Sequence, residues 1–171
     1  MSSASIKISA ANKKLDSTIP LTGSKSESNR ALIMQALSDG AVRVDNISEA
    51  ADTVTLNNIL KADKPTKVDI GPAGTAMRFL TAFYSLKESE VLLTGSERMK
   101  QRPIGILVDA LRTLGADIQY AEKEGFPPLK IRGPLQQKTP EVSIKGNISS
   151  QYISALLLIA PKLEQGLNLV I

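Results

Sequence analysis

Six cations stand beside helix openings in this 171-residue chain: Lys25, Arg30, Arg78, Arg98, Lys100 and Arg102. Three passages create those openings, at 19–30, 68–78 and 142–151. Each runs from a short apolar strand through a glycine and a small or hydroxyl-bearing turn into an amphipathic helix. The first turn of a helix leaves backbone N–H groups unpaired and carries the positive end of the helix dipole, so it favours an anion. Arg98, Lys100 and Arg102 lie just ahead of a helix starting near Pro103, where cations oppose that dipole. An anion bound there would relieve the conflict. The chemistry implied is the holding of more than one anionic group.

Each motif has a plainer explanation when taken singly. Gly23, Ser24, Lys25 and Ser26 lack the spacing of a phosphate-binding P-loop, and a helix start capped by Ser24 or Ser26 accounts for them. Gly71, Pro72, Ala73, Gly74 and Thr75 lack the dinucleotide fingerprint and suit a tight turn capped by Thr75. Two glycines three apart also let a ligand approach the backbone closely. Ser149, Ser150 and Gln151 offer two hydroxyls and an amide, although a cap needs only one serine.

Composition excludes several chemistries. With no Cys and no His, the chain has no usual zinc site, no Cys nucleophile, no Ser-His-Asp triad and no disulfide. Chemistry falls to Lys, Arg, carboxylates, hydroxyls and backbone amides. The net charge is +4, but the positive residues gather at turns and form no basic arm or aromatic-interleaved face. Small anions fit that pattern better than nucleic acid. Apolar residues make up 42% and aromatics only 4%, so the core must consist mainly of Leu, Ile, Val and Ala. No apolar run approaches the ~20 residues that span a bilayer, and the N-terminus has no apolar signal core, so a cytoplasmic setting is expected.

The elements that position these groups follow from periodicity and punctuation. Strands are expected over 7–22, around a polar turn at 12–14, then a helix over 28–37 closed by Gly40. A strand over 41–47 follows, then a helix capped by Asp52 that runs through Leu60 and stops at Lys64 and Pro65. Next come a strand at 68–70, a helix over 75–86 and a strand at 90–94. Pro103 opens a helix over 104–114 that Gly115 ends. A hairpin pairs 117–120 with 129–131, and strand, helix and strand recur at 142–144, 149–160 and 167–171. The chain is therefore α/β, with a unit that restarts near Gly71 and again near Gly146. Its apolar last strand leads to the expectation of an N-terminal portion of a longer protein.

Together the runs at 23–30, 73–78, 98–104, 114–116 and 149–151 resemble the 5-enolpyruvylshikimate-3-phosphate synthase family, in order and approximate spacing. The resemblance implies a two-domain enolpyruvyl transferase built of repeated βαβαββ units, here incomplete at the C-terminal side. Residues 1–21 would be a strand segment joining the other domain. Residues 22–171 would be an incomplete transferase domain with about two units and the start of a third. It further implies transfer of the enolpyruvyl group of phosphoenolpyruvate to the 5-hydroxyl of shikimate 3-phosphate, without cofactor or metal, in a monomer. By motif, Lys25 would touch both substrates and act in catalysis. Ser26 and Arg30 would hold the shikimate ring and its carboxylate, and Ser149 and Ser150 the 3-phosphate. Gln151 would contact both ligands, and Gly74 and Arg102 would receive phosphoenolpyruvate. The family's proton-transferring carboxylate has no counterpart here, so the 171-residue chain alone is expected to be inactive.

One departure is Phe79, where many members of the family have proline; its side chain is expected to bear on the start of the helix. The sister transferase acting on UDP-N-acetylglucosamine is an alternative, but its pattern lacks the run from Lys25 to Arg30. A non-catalytic phosphometabolite-binding domain is the alternative from another class.

Overall fold

The stretch Gly74–Leu86 forms helix α3, and its sequence explains its central place. Apolar side chains surround the helix, which leaves no face for water, and every residue from Ala76 to Ser85 is buried. Its polar groups are satisfied one turn back. Thr81 Oγ1 donates to the Met77 carbonyl (2.7 Å), Ser85 Oγ to that of Thr81 (2.8 Å) and Arg78 Nη1 to that of Gly74 (2.7 Å). The computed structural model describes residues 5–9, 14, 16–145 and 149–171. Within them α3 is packed against α1 (Lys25–Leu37), α2 (Ala51–Leu60), α5 (Gly105–Leu114) and α6 (Ser150–Ile159).

A four-stranded sheet covers the remaining side. Its strands are β1 (Lys67–Asp69), β2 (Ser89–Thr94), β3 (Asp117–Tyr120) and β4 (Leu129–Gly133), in the order β1-β2-β4-β3. β1 and β2 are parallel, with Val68 opposite Leu93, whereas β4 pairs antiparallel with both β2 and β3. Leu129 and Ile131 are buried while Lys130 and Arg132 point outward, the alternation of a sheet with one covered face. With α3 and α5 this makes one βαβαββ unit. A one-turn helix, α4 (Glu97–Lys100), lies between β2 and α5. The parallel pair β5 (Glu141–Ser143) and β6 (Asn168–Val170), with α6 between them, opens another such unit.

Contacts at two levels show that α1, α3 and α6 run side by side in the same direction. Gln151 of α6 meets Thr75 of α3, each the second residue of its helix. One turn deeper, Arg30 of α1 reaches both Phe79 of α3 and Ser154 of α6. Near the other end Lys87 Nζ meets the Ala36 carbonyl (3.5 Å), and Asp39 Oδ2 pairs with Lys162 Nζ (3.0 Å). The three helix openings therefore share one end of the molecule.

Helix α5 ends as expected at Gly115, whose φ of 115° is left-handed and whose N–H reaches the Leu111 and Arg112 carbonyls at 3.1 and 3.0 Å. Several expectations fail. The described residues of 7–22 and the segment 41–47 form no strands. In the second case Asn46, at φ 52°, turns the chain out of extended geometry. The turn residues Asn12 and Lys13 lie outside the described residues. Asp52 is not a cap: α2 is preceded by Ala50, which makes no side-chain cap bond, and Asp52 sits inside the first turn. Thr75 likewise lies inside α3, with Ala73 in the cap position.

Candidate anion-binding site

The opening of α1 is built by two small residues. A Cβ at Gly23 would collide with the Asn46 carbonyl, so only glycine lets the two backbones meet. Ser24 Oγ accepts from the Glu27 N–H at 3.4 Å, which makes Ser24 the cap and leaves Ser26 exposed. Lys25 is half-exposed, with Nζ 3.2 Å from Asp52 Oδ2 in the first turn of α2. Arg30 is held from three sides. Nη1 donates to the Ser26 carbonyl (2.9 Å), Nη2 donates to Ser154 Oγ (3.1 Å), and Cζ lies 5.6 Å from the centre of the Phe79 ring. Helix α3 begins at Gly74, five residues ahead of Phe79.

At the opening of α3 no side chain caps the free N–H groups. The Arg102 guanidinium lies over this end. A Cβ on Gly74 would run into Arg102 Nη1, with Arg102 Cζ at 2.9 Å and Arg78 Nη1 at 3.0 Å. Two cations thus flank a positive helix end, and among the described residues neither makes an ion pair. Arg78 is buried beneath Tyr152, with Cζ 5.3 Å from the ring centre, and its Nε has no partner among the described residues.

The opening of α6 joins the other two. Ser149 Oγ accepts from the Gln151 N–H (3.4 Å), while Gln151 Nε2 donates to Thr75 Oγ1 (3.2 Å). Tyr152 Oη donates to the Pro103 carbonyl (2.7 Å), which ties α6 to the residue following Arg102. Ser149 and Ser150 are exposed. Gly146, Asn147 and Ile148, which precede them, lie outside the described residues.

The basic run at 98–102 behaves unevenly. Arg98 and Lys100 belong to α4, which Ser96 caps through Met99 N–H (3.3 Å) and which the sequence reading missed. Lys100 is engaged by Glu97 (3.1 Å) and Glu122 (3.3 Å), whose hydrogen bonds raise its pKa. Its charge is compensated on the surface, so it leaves the candidate set. Arg98 is exposed and lines a cavity of about 410 Å³ with Pro72, Ser96, Met99 and Arg102. Sequence reasoning also missed the supports: Thr75, Tyr152 and Ser154 each touch a predicted site residue or its neighbour. Among the described residues no cluster of acids could hold a metal ion, and no helix is long and apolar enough to cross a membrane.

An α/β protein with cations and three helix openings gathered on one open face is the class this geometry defines. The family model for EPSP synthase (3-phosphoshikimate 1-carboxyvinyltransferase) matches residues 9–64 and 60–171, and the chain belongs to that family. It is 51% identical over 160 residues to the 3-phosphoshikimate 1-carboxyvinyltransferase of Bacteroides fragilis strain YCH46, covering 94% of this chain and 38% of the relative. Against the Yersinia pestis protein of the same name it is 40% identical over 176 residues, covering 88% and 41%. The chain thus spans about two fifths of the length of these relatives. A solved EPSP synthase from Acinetobacter baumannii shares the fold, with a TM-score of 0.69 at 24% identity over 83% of this chain and 37% of that one.

Proposed function

We propose that this segment forms one wall of the active-site cleft of a longer 3-phosphoshikimate 1-carboxyvinyltransferase. The reaction would join phosphoenolpyruvate to the 5-hydroxyl of shikimate 3-phosphate by addition and elimination, releasing phosphate. The observation that carries this reading is Arg102 lying over the glycine opening of α3, beside the Gln151–Thr75 contact. A phosphate placed there meets helix N–H groups, an arginine and an amide together. Arg30, one turn deeper between α1, α3 and α6, is placed to take a carboxylate, with Ser26 beside it.

Each remaining residue has a role in this scheme. Lys25 would turn from Asp52 to touch both substrates, and Ser149 and Ser150 would offer hydroxyls to the 3-phosphate at the opening of α6. Two polyanions repel each other in water. Fixed cations and dipoles hold them together without reorganisation, and orientation supplies much of the rate. No cofactor or metal enters the scheme, and the protein is taken to act as a cytoplasmic monomer. Residues 22–171 would belong to one domain and 1–21 to the other. The alternation of Ile6, Ile8, Ile19 and Leu21, 74–91% exposed, supports that division, because such a pattern suits strands awaiting a sheet.

The test is phosphate release in the presence of both substrates. The full-length protein carrying this segment should turn over, while the 171-residue chain alone should not exceed a buffer control. Use of UDP-N-acetylglucosamine in place of shikimate 3-phosphate, or turnover by the short chain, would overturn the reading.

A further inference from the structure

We propose that Phe79 and Ser154 are positioning residues that aim the Arg30 guanidinium at a substrate carboxylate, an inference that rests on the function proposed above. A free arginine side chain samples many rotamers, and a ligand that must order it binds more weakly. Here the ordering is built in before any ligand arrives. The Phe79 ring is 1% exposed and fixed within α3, and the guanidinium lies over it at 5.6 Å. Guanidinium is weakly hydrated and stacks on aromatic faces, so this contact fixes the plane of the group. Ser154 Oγ and the Ser26 carbonyl then fix its rotation within that plane, at 3.1 and 2.9 Å.

The donor count completes the argument. Guanidinium has five N–H donors in a planar fork, and these two bonds use one on each terminal nitrogen. Three remain, enough for a two-point contact with a carboxylate. Among the described residues Arg30 has no ion-pair partner of its own. A proline at position 79 would have no aromatic face to offer, so in this chain the aromatic departure has a specific use.

The experiment compares Phe79→Leu, Ser154→Ala and Ser154→Thr in the full-length protein. The first two should raise KM for shikimate 3-phosphate about threefold to tenfold, the scale of a stacking contact or of one hydrogen bond to a charged group. KM for phosphoenolpyruvate and kcat should stay within about twofold, and Ser154→Thr, which keeps the hydroxyl, should restore the parent value. In an Arg30→Ala background Phe79→Leu and Ser154→Ala should have no further effect on KM. Equal losses for both substrates, or effects that persist without Arg30, would overturn the inference. If the full-length protein does not use shikimate 3-phosphate at all, the proposed function fails separately. The positioning is then read on the full-length protein from the Arg30 Nη–Hη resonances, the donors that Ser26 and Ser154 hold. A shifted, exchange-protected signal that collapses to the free-arginine position in Phe79→Leu and Ser154→Ala supports it; a free-arginine signal in the parent refutes it.

Discussion

The Arg102 guanidinium fills the space into which a side chain at Gly74 would grow, its Cζ 2.9 Å from where that Cβ would sit. Gly74 is the first residue of α3 and lacks the positive φ seen at Gly71 and Gly115, so its backbone accepts alanine. Gly74→Ala should change stability by no more than about 1 kcal/mol, because the displaced neighbour is the tip of a flexible side chain. In the full-length protein it should weaken phosphoenolpyruvate, and weaken a bulkier competitor such as glyphosate more. A thermal melt and an inhibition assay check this. A large melting loss with an unchanged ratio of inhibition constant to KM would mean that Gly74 serves the turn alone.

Arg102→Ala in the full-length protein should lower kcat/KM for phosphoenolpyruvate by about 2–4 kcal/mol, the scale for losing a charge-assisted contact in a closed site. Shikimate 3-phosphate binding to the free protein should change little. Titration calorimetry on the variant decides the matter: that binding lost, with phosphoenolpyruvate kinetics intact, would reverse the assignment.

Gly115 answers to backbone geometry instead. Its left-handed φ costs an alanine about 1–3 kcal/mol, and the new methyl would also strike the Gln136 carbonyl. Gly115→Ala should therefore lower the urea midpoint of the 171-residue chain well below that of Gly74→Ala. Comparable midpoints for the two variants would contradict the cap described for α5.

Burial pushes the Tyr84 hydroxyl up to about 12, and the side chain is only 4% exposed. The unfolded chain releases this proton near pH 10, whereas the folded one keeps it. The stabilisation is thus complete below pH 10 and is lost as pH rises towards 12, at up to about 1.4 kcal/mol per pH unit. Denaturant melts between pH 9 and 11.5 should show the fall, and Tyr84→Phe should flatten it. An identical slope in both proteins would place the alkaline sensitivity elsewhere.

Local chemistry was legible where a single residue decides the backbone. The Ser24 cap, the Gly115 stop and the hairpin of β3 with β4 all follow from short-range rules. Errors arose where tertiary partners decide. Residues 41–47 alternate like a strand, yet among the described residues no strand pairs with them. Arg78, Thr81 and Ser85 of α3 each hydrogen-bond one turn back and go inside, a burial that only the packing around α3 decides. The candidate residues themselves came from motif likeness. Their supports did not, because Gln151 and Thr75 are 76 positions apart and no periodicity links them.

Helix α3 carries Gly74 under one cation, Thr75 beneath an amide and Phe79 beneath a second arginine, and it is buried along nearly its whole length. A close-packed helix of this kind moves as a body. A substitution that tilts it to accommodate a change at one anion would be felt at the other within the same thirteen residues. Under the function proposed above, evolution therefore has little room to retune affinity for one of the two ligands independently, and resistance to a mimic of either should carry a pleiotropic cost for both.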